Sequence, residues 1–202
     1  MITGMSHSIR KLVAAVAAIV VLAITLVLGH NRAASDEPPA PAGPRWWKGN
    51  LHTHSLWSDG DDYPDMIADW YKSHGYHFLA LTEHNRLAVG ERWVDVGDKT
   101  KAGGAALEKY AKRFGPSWAE RREAMGKPQV RLKTLVDMRP KFDEEDRFLL
   151  VPGEEITHRY AKAPVHLNAI NLREVIQPTD GDSVSETIRV NYRAVAEQSK
   201  KK

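Results

Sequence analysis

The sequence predicts an α/β protein in which strands and helices alternate around a parallel sheet or barrel. Apolar runs at Tyr76–Thr82 and Arg147–Pro152 have the length and composition of buried strands. A segment with one apolar helical face begins at Tyr63 and precedes the first of these runs. Each run is followed by polar residues. Because the carboxyl ends of parallel strands gather at one edge, we expect those residues to share one site.

Four strands and two helices make up the core of this prediction. The strands are expected at Trp46–His54, Tyr76–Thr82, Arg147–Pro152 and Pro164–Leu172. The first helix should begin at Tyr63-Pro64, since proline suits the first turn, and end at Gly75. Asp182 or Ser183 should cap the last helix, because Ser183 and Glu186 have capping-box spacing. Its buried stripe is expected to consist of Ile188, Tyr192 and Val195.

Residues 85–147 form a charged insertion that does not follow the alternating pattern. Surface helices are expected at Ala105–Phe114 and Trp118–Ala124, with Arg131–Asp137 as a candidate third. An insertion after a strand end is well placed to wall a substrate pocket. The alternative is a solvated excursion with no role in binding.

The N-terminus, residues 1–32, has the character of an export segment and predicts a hydrophobic helix. An uncharged run from Leu12 to Leu28 follows Arg10-Lys11, which places the rest of the chain outside the cytoplasm, periplasmic or secreted. The run is long for a signal peptide and slightly short for a membrane span of about 20 residues. A cleaved signal peptide and a membrane anchor at residues 12–28 therefore both remain open.

Composition bounds the remaining chain. Residues 33–44 are rich in proline and alanine and predict a linker, so the folded domain is expected at 45–202. The chain has a net charge of +3, and residues 45–202 hold 26 basic against 24 acidic residues, so this nearly balanced domain gives no electrostatic case for nucleic-acid binding. The chain has no cysteine, so any metal must be held by histidine, aspartate and glutamate.

A candidate metal site begins with two histidines. His52 and His54 alternate with one residue on an extended segment, so their imidazoles project from the same face. Asp59 follows in Ser58-Asp59-Gly60, and Thr82-Glu83-His84 comes at the end of the second strand. A histidine pair, a carboxylate and a third histidine indicate a metal site. The alternatives are histidines bonded to backbone and a turn role for Asp59.

Five motifs in one order resemble those of the PHP (polymerase and histidinol phosphatase) family of metal-dependent hydrolases. They are His52-x-His54-Ser55, Ser58-Asp59-Gly60, Thr82-Glu83-His84, Gly153-Glu154-Glu155 and His166-Leu167-Asn168. The resemblance runs from about Arg45 to the C-terminus and is greatest to an exported, carbaryl-hydrolase-like branch. It implies a partial, distorted (β/α)7 TIM-like barrel and up to three divalent ions, which would be manganese, iron or zinc.

The resemblance also implies a role for each site residue. The implied metal ligands are His52 and His54 for a first ion, Asp59 and His84 for a second, Glu155 as the bridge and His166 for a third. Glu155 and His84 are the implied catalytic residues. Glu155 is preferred to Glu154, since alternation points the two to opposite faces. Glu83 stands where the family more often has aspartate and is expected to orient a ligand imidazole.

The implied activity is hydrolysis of a small-molecule phosphoester by a metal-bridged hydroxide. A carboxylic or carbamate ester substrate is the second choice at the same centre. The family has a later histidine and Asp-x-His that these 202 residues lack, which favours an N-terminal portion of the domain or a non-catalytic metal-binding module. A structural protein with incidental histidines is the remaining alternative. Arg86 and Arg159 are candidates for contact with an anionic substrate, and Trp46, Trp47 and Trp70 are expected in the core.

Overall fold

A computed structural model of the protein describes residues 44–201. One compact unit begins at Trp46. The predicted export segment at 1–32 and all of the predicted linker except Pro44 lie outside the described residues. No helix within residues 44–201 combines the length and the apolar character needed to cross a membrane.

The described chain is mixed α/β, and its main sheet curls into a half-barrel. In chain order its elements are β1 (Gly49–Asn50), α1 (Pro64–Ser73), β2 (Phe78–His84), β3 (Trp93–Asp95), α2 (Gly104–Phe114), β4 (Arg121–Ala124), β5 (Lys127–Arg131), α3 (Leu135–Phe142), β6 (Leu149–Tyr160), β7 (Ala163–Ile170) and α4 (Val184–Lys200). The main sheet has the order β1-β2-β6-β7, and β1, β2 and β6 are parallel. The expectation of a purely parallel sheet is wrong for β7, which is antiparallel to β6. Only Ala161 and Lys162 join the two strands, and a parallel crossover needs a much longer connection.

The first strand is much shorter than the expected Trp46–His54. Only Gly49 and Asn50 pair with β2, so His52 and His54 lie in a loop and not on a strand. The third predicted strand, in contrast, extends to Tyr160, because its second half finds a partner in β7. Trp46 is fully exposed, and Trp47 and Trp70 are about half exposed, so none of these tryptophans is the core residue that was expected.

The insertion contains a small second sheet of order β3-β5-β4. Helix α2 matches the expected Ala105–Phe114 closely, but the helix predicted at Trp118–Ala124 is wrong, because its last residues form β4. Met125 and Gly126 both take positive φ, at 54° and 69°, which is the backbone of a tight hairpin turn. The candidate third helix begins later than expected, at Leu135, where Thr134 and Asp137 form a capping box.

The insertion is packed into the protein and is not a solvated excursion. Tyr110 of α2 is fully buried and stacks on Tyr63, with ring centroids 4.0 Å apart. Val130, Leu132 and Met138, which all lie in the insertion, are fully buried in the same core cluster. The wall that follows β2 is therefore held in place by apolar burial.

Helix α4 is capped as predicted, but of its expected buried stripe only Val195 packs against the core. The Ser183 hydroxyl accepts from the Glu186 N–H at 3.1 Å. Thr187 and Asn191 are buried, whereas the expected Ile188 and Tyr192 are exposed. Asn191 exchanges two hydrogen bonds with the backbone of Thr179, which satisfies its buried amide and explains why a polar residue can replace an apolar one.

Asp65 is a buried acidic residue on α1. Its Oδ1 accepts hydrogen bonds from Tyr110 Oη at 3.1 Å and Trp118 Nε1 at 2.6 Å. Its Oδ2 has no partner within the described part of the chain. Burial raises the pKa of Asp65 to about 6, against the opposing effect of the Trp118 hydrogen bond. Because the folded pKa lies above the unfolded one, the protein loses stability as the pH rises from the unfolded pKa to the folded pKa and Asp65 must ionise in a buried place.

We expect the wild type to lose about 1–3 kcal/mol of unfolding free energy relative to Asp65→Asn between pH 4 and 7. The asparagine carries no charge at either pH, so it does not incur this cost. Urea unfolding of both proteins at the two pH values measures the difference. Asp61→Asn, at an exposed carboxylate near the same helix, serves as the control and should follow the wild type. A difference that does not change with pH would contradict the assignment.

Candidate metal centre

The loop that carries His52 and His54 is fastened to β2 by its backbone and by Glu83. Thr53 donates its N–H to Thr82 Oγ1 at 3.0 Å and accepts from the Thr82 N–H at 2.9 Å. Glu83 is fully buried and accepts from the Ser55 N–H at 3.0 Å, from the Ser55 hydroxyl at 2.5 Å and from the Ser58 hydroxyl. Burial raises the pKa of Glu83, and the bonds from Ser55 and Ser58 oppose the rise.

Glu83 acts on a histidine through an intermediate residue. Its partner Ser58 places Oγ 3.3 Å from His54 Nδ1, so the carboxylate orients that imidazole indirectly. Sequence reasoning assigned this role to Glu83 but did not identify Ser58, which transmits it, or Ser55, which also binds the carboxylate. Their place in the His-x-His-Ser and Ser-Asp-Gly motifs was the available signal.

Glu155 lies at the centre of four imidazoles. It is buried on β6 directly beside His84 of β2 in the parallel register. Its Oε2 is 3.4 Å from His52 Nε2, 3.0 Å from His54 Nε2 and 3.2 Å from His84 Nδ1. Its Oε1 is 2.5 Å from Nδ1 of His166 on β7. Strands β2, β6 and β7 thus bring these groups to one place from distant parts of the sequence.

Asp59 lies on the outer side of the same cluster. Its two carboxylate oxygens are each 3.4 Å from a histidine nitrogen, Nδ1 of His54 and Nε2 of His84. Desolvation raises the pKa of Asp59, but its attraction to His84 and His54 in their protonated forms outweighs this effect, so the net change is a lowering. The carboxylate is therefore ionised at neutral pH.

The protonation states suit metal ligation. Burial lowers the pKa of His54, and the charge of Glu155 only partly opposes it, so this imidazole is neutral at pH 7. Burial raises the pKa of Glu155, but the hydrogen bond from His166 and the charge of His84 bring it below its usual value. Metal binding requires neutral imidazole and ionised carboxylate, so these groups need no costly proton release.

All six predicted ligands lie in one cluster. Their ligand atoms form three overlapping groups, within each of which the atoms lie within 4.8 Å of one another. The groups are His52 with His54 and Glu155, His54 with Asp59 and His84, and His84 with Glu155 and His166. Such groups could hold metal ions, because nitrogen and carboxylate oxygen atoms converge at distances that an ion can bridge.

The end of β2 is locked to β6 by a pair of residues that sequence reasoning missed. Asn85 has a positive φ of 50°, and its side chain donates to Thr157 O at 2.9 Å and accepts from Thr157 N at 2.7 Å. Thr157 Oγ1 also lies 2.6 Å from His84 Nδ1. Asparagine tolerates the left-handed region better than most residues, which was the only signal in the sequence.

Several other polar candidates point away from the cluster. Glu154 is buried on the opposite face of β6, where it accepts from the Ile176 N–H at 2.8 Å, and burial raises its pKa to about 6. His158 contacts Asp180 at 2.8 Å. Arg159 is exposed, whereas Arg86 remains beside the site, with its Nε 3.4 Å from His84 O.

Comparisons with known proteins do not identify a family for this chain. No model of a known protein family, no curated protein and no solved structure matches the chain. Because a fold alone does not define a function, the functional argument has to be made from the side chains of the site.

Gly60 is the position where the loop tolerates no side chain. A Cβ there would lie 2.5 Å from both His54 C and Ser55 N, which are backbone atoms and cannot move aside alone. We expect Gly60→Ala to displace the loop, to weaken metal binding and to cost about 1–3 kcal/mol of stability. Thermal unfolding and a zinc titration measure both effects.

The matched control for this change is Gly97→Ala. A Cβ at Gly97 would meet nothing within 4 Å, and its φ is ordinary, so this variant should behave as the wild type. Wild-type zinc affinity in Gly60→Ala would show that the loop does not position the histidines.

Proposed function

We propose that the protein is a metal-dependent hydrolase whose ions are held between the histidine loop, β2, β6 and β7. The observation that carries this proposal is the state of Glu155. Its Oε2 is buried and accepts no hydrogen bond within the described residues, yet nitrogens of His52, His54 and His84 lie within 3.4 Å of it. Converging lone pairs around a buried anion are stabilised by a shared cation.

The ligand set is sufficient for two ions. A neutral imidazole has one nitrogen free to bind metal, so His54 and His84 each serve one ion although each belongs to two of the groups. Catalytic sites usually supply three protein ligands per ion. His52, His54, Asp59, His84 and His166, with Glu155 shared between them, would provide enough ligands for two ions on that basis.

The ligand types narrow the choice of metal. Mixed imidazole and carboxylate ligands favour zinc, iron or manganese over calcium, which prefers oxygen ligands alone. When bound, such ions lower the pKa of water towards about 7 and neutralise charge on a phosphoryl or carbonyl oxygen. The side chains of His52 and Asp59 are largely exposed, so water and substrate have access from that side.

The other roles that we propose for residues of the site are to position the metal ligands and to exclude solvent. Glu155 contacts all four imidazoles and so sets their relative positions. His84 lies between Asp59 and Glu155 and joins the two halves of the cluster. Thr157 and Asn85 keep His84 in place, and the packed insertion limits the approach of solvent from behind β2.

A phosphoester is the substrate class that we propose. The order of the five motifs supports a PHP-type hydrolase, and a curled half-barrel sheet is compatible with part of an α/β barrel. The apolar run at 12–28 supports action outside the cytoplasm on a small molecule. A carboxylic or carbamate ester is the alternative substrate at the same centre.

The test measures metal content and turnover on the full chain. After loading with manganese or zinc, the wild type should bind two ions and hydrolyse p-nitrophenyl phosphate, and a chelator should abolish turnover. His52→Ala with His54→Ala removes two ligands of one group, so it should lose at least one ion and the activity. The matched control is His74→Ala with His158→Ala, because neither residue belongs to a metal-ligand group.

The outcomes separate the alternatives. Two bound ions without turnover of either a phosphoester or a carboxylic ester would indicate a non-catalytic metal-binding module. Absence of metal uptake, with unchanged stability in the His52 and His54 variant, would show that the histidines are incidental.

A further inference from the structure

Two arginines of the described chain lack carboxylate partners: Arg86, beside the proposed ligand His84, and Arg92, near Trp57 of the histidine loop. Arg86 follows the proposed ligand His84 and is partly buried. Within residues 44–201 the one hydrogen-bond partner of its side chain is the carbonyl oxygen of His84, 3.4 Å from its Nε. Arg92 is also partly buried, and its Nε has no acceptor within residues 44–201. Neither guanidinium forms an ion pair in that part of the chain.

Arg92 is held in place from the histidine loop. Its guanidinium carbon lies 6.0 Å from the ring centroid of Trp57, which is buried and donates Nε1–H to Lys133 O at 2.9 Å. The backbone of Arg92 accepts from the Leu132 N–H at 2.9 Å. Trp57 directly precedes Ser58-Asp59, so the segment that supports Arg92 also carries a proposed metal ligand.

Three other arginines of the insertion have acidic partners, although the exposed Arg121 has none among the described residues. Arg113 bonds to Asp69, Arg131 bonds to Glu120 and Asp137, and Arg122 lies 3.9 Å from Glu91. The contrast shows that acidic residues are available to this region but are not placed beside Arg86 and Arg92.

The charges around the pair are unbalanced. Burial lowers the pKa of Arg92, the positive charge of Arg86 lowers it further, and Glu83 opposes both. Glu83 cannot serve as a full partner, because its oxygens already accept from Ser55 and Ser58. The two partly desolvated positive charges of Arg86 and Arg92 are unfavourable until a bound anion neutralises them.

We propose that Arg86 and Arg92 form an anion subsite that binds the phosphoryl oxygens of the substrate and so selects phosphomonoesters over neutral esters. This inference rests on the proposed function, and it narrows the phosphoester substrate proposed for the same site to phosphomonoesters held by two arginines. A guanidinium presents a planar fork of donors that matches two phosphate oxygens. Arg86 was a candidate from the sequence, whereas Arg92 was not.

Inorganic phosphate is the probe for the test. We expect metal-loaded wild type to bind phosphate, and Arg86→Gln and Arg92→Gln each to weaken that binding at least about tenfold without loss of metal. Isothermal titration gives the affinity, and metal analysis gives the ion content. Arg92→Lys should retain part of the affinity, since the charge is kept while the fork is lost.

The matched control is Arg122→Gln. Arg122 also stacks on a tryptophan, with its guanidinium carbon 4.1 Å from the Trp93 ring centroid, but it contacts Glu91 and Gln129. Phosphate affinity should therefore be unchanged in this variant. If Arg92→Gln does not fold, Arg92→Lys and Arg86→Gln decide the question.

Turnover provides a second readout. In both glutamine variants KM for p-nitrophenyl phosphate should rise, while KM for p-nitrophenyl acetate, which is neutral, should not. Metal-loaded variants with wild-type phosphate affinity, or a metal-loaded wild type that does not bind phosphate, would overturn the subsite and leave the metal centre standing. Loss of metal from Arg86→Gln would assign that residue a structural role instead. Failure of the wild type to take up metal would overturn the proposed function itself.

Discussion

The arrangement of the site depends on the burial of one ionised carboxylate, that of Glu155. A buried charge costs several kcal/mol unless opposite charge or hydrogen bonds compensate it. The protein places four imidazoles around this group, and they come from a loop and from strands β2 and β7. Oε1 bonds to His166, but Oε2 accepts no hydrogen bond within the described residues, so segments that are distant in sequence converge on an anion that the imidazoles alone do not compensate.

The strand pleat gives neighbouring acidic residues different functions. His84 and Glu155 pair in register on the face that carries the cluster, whereas Glu83 and Glu154 pair one residue earlier on the opposite face. Glu83 holds the histidine loop, and Glu154 accepts from the backbone of Ile176. A slip of one residue between β2 and β6 would place Glu154 instead of Glu155 beside His84. The site therefore requires the observed register of these two strands.

The meeting of the cluster residues could be predicted from the ends of the strands in the sequence. The residues that hold the cluster in place could not. Residues such as His84 and Glu155 end apolar runs, and parallel strands bring such ends together whatever the rest of the fold does. The hairpin at Met125 was missed because a methionine with positive φ is set by pairing across the turn and not by its own preference. Arg92 and Asn191 were missed for a related reason, since their positions depend on partners that only tertiary packing supplies.

The two-residue link at Ala161 and Lys162 has a consequence for the order of assembly. Glu155 and His166 are only 11 residues apart, so the β6–β7 hairpin can bring them together on a microsecond timescale while the rest of the chain is still unfolded. The contact between His84 and Thr157, in contrast, spans 73 residues, and the chain between them includes the insertion. Closing the longer loop costs only about 1.7 kcal/mol more chain entropy than closing the shorter one. The connection between β2 and β6 can therefore lengthen at a small cost in loop-closure entropy. The short β6–β7 hairpin keeps its own register when this connection changes.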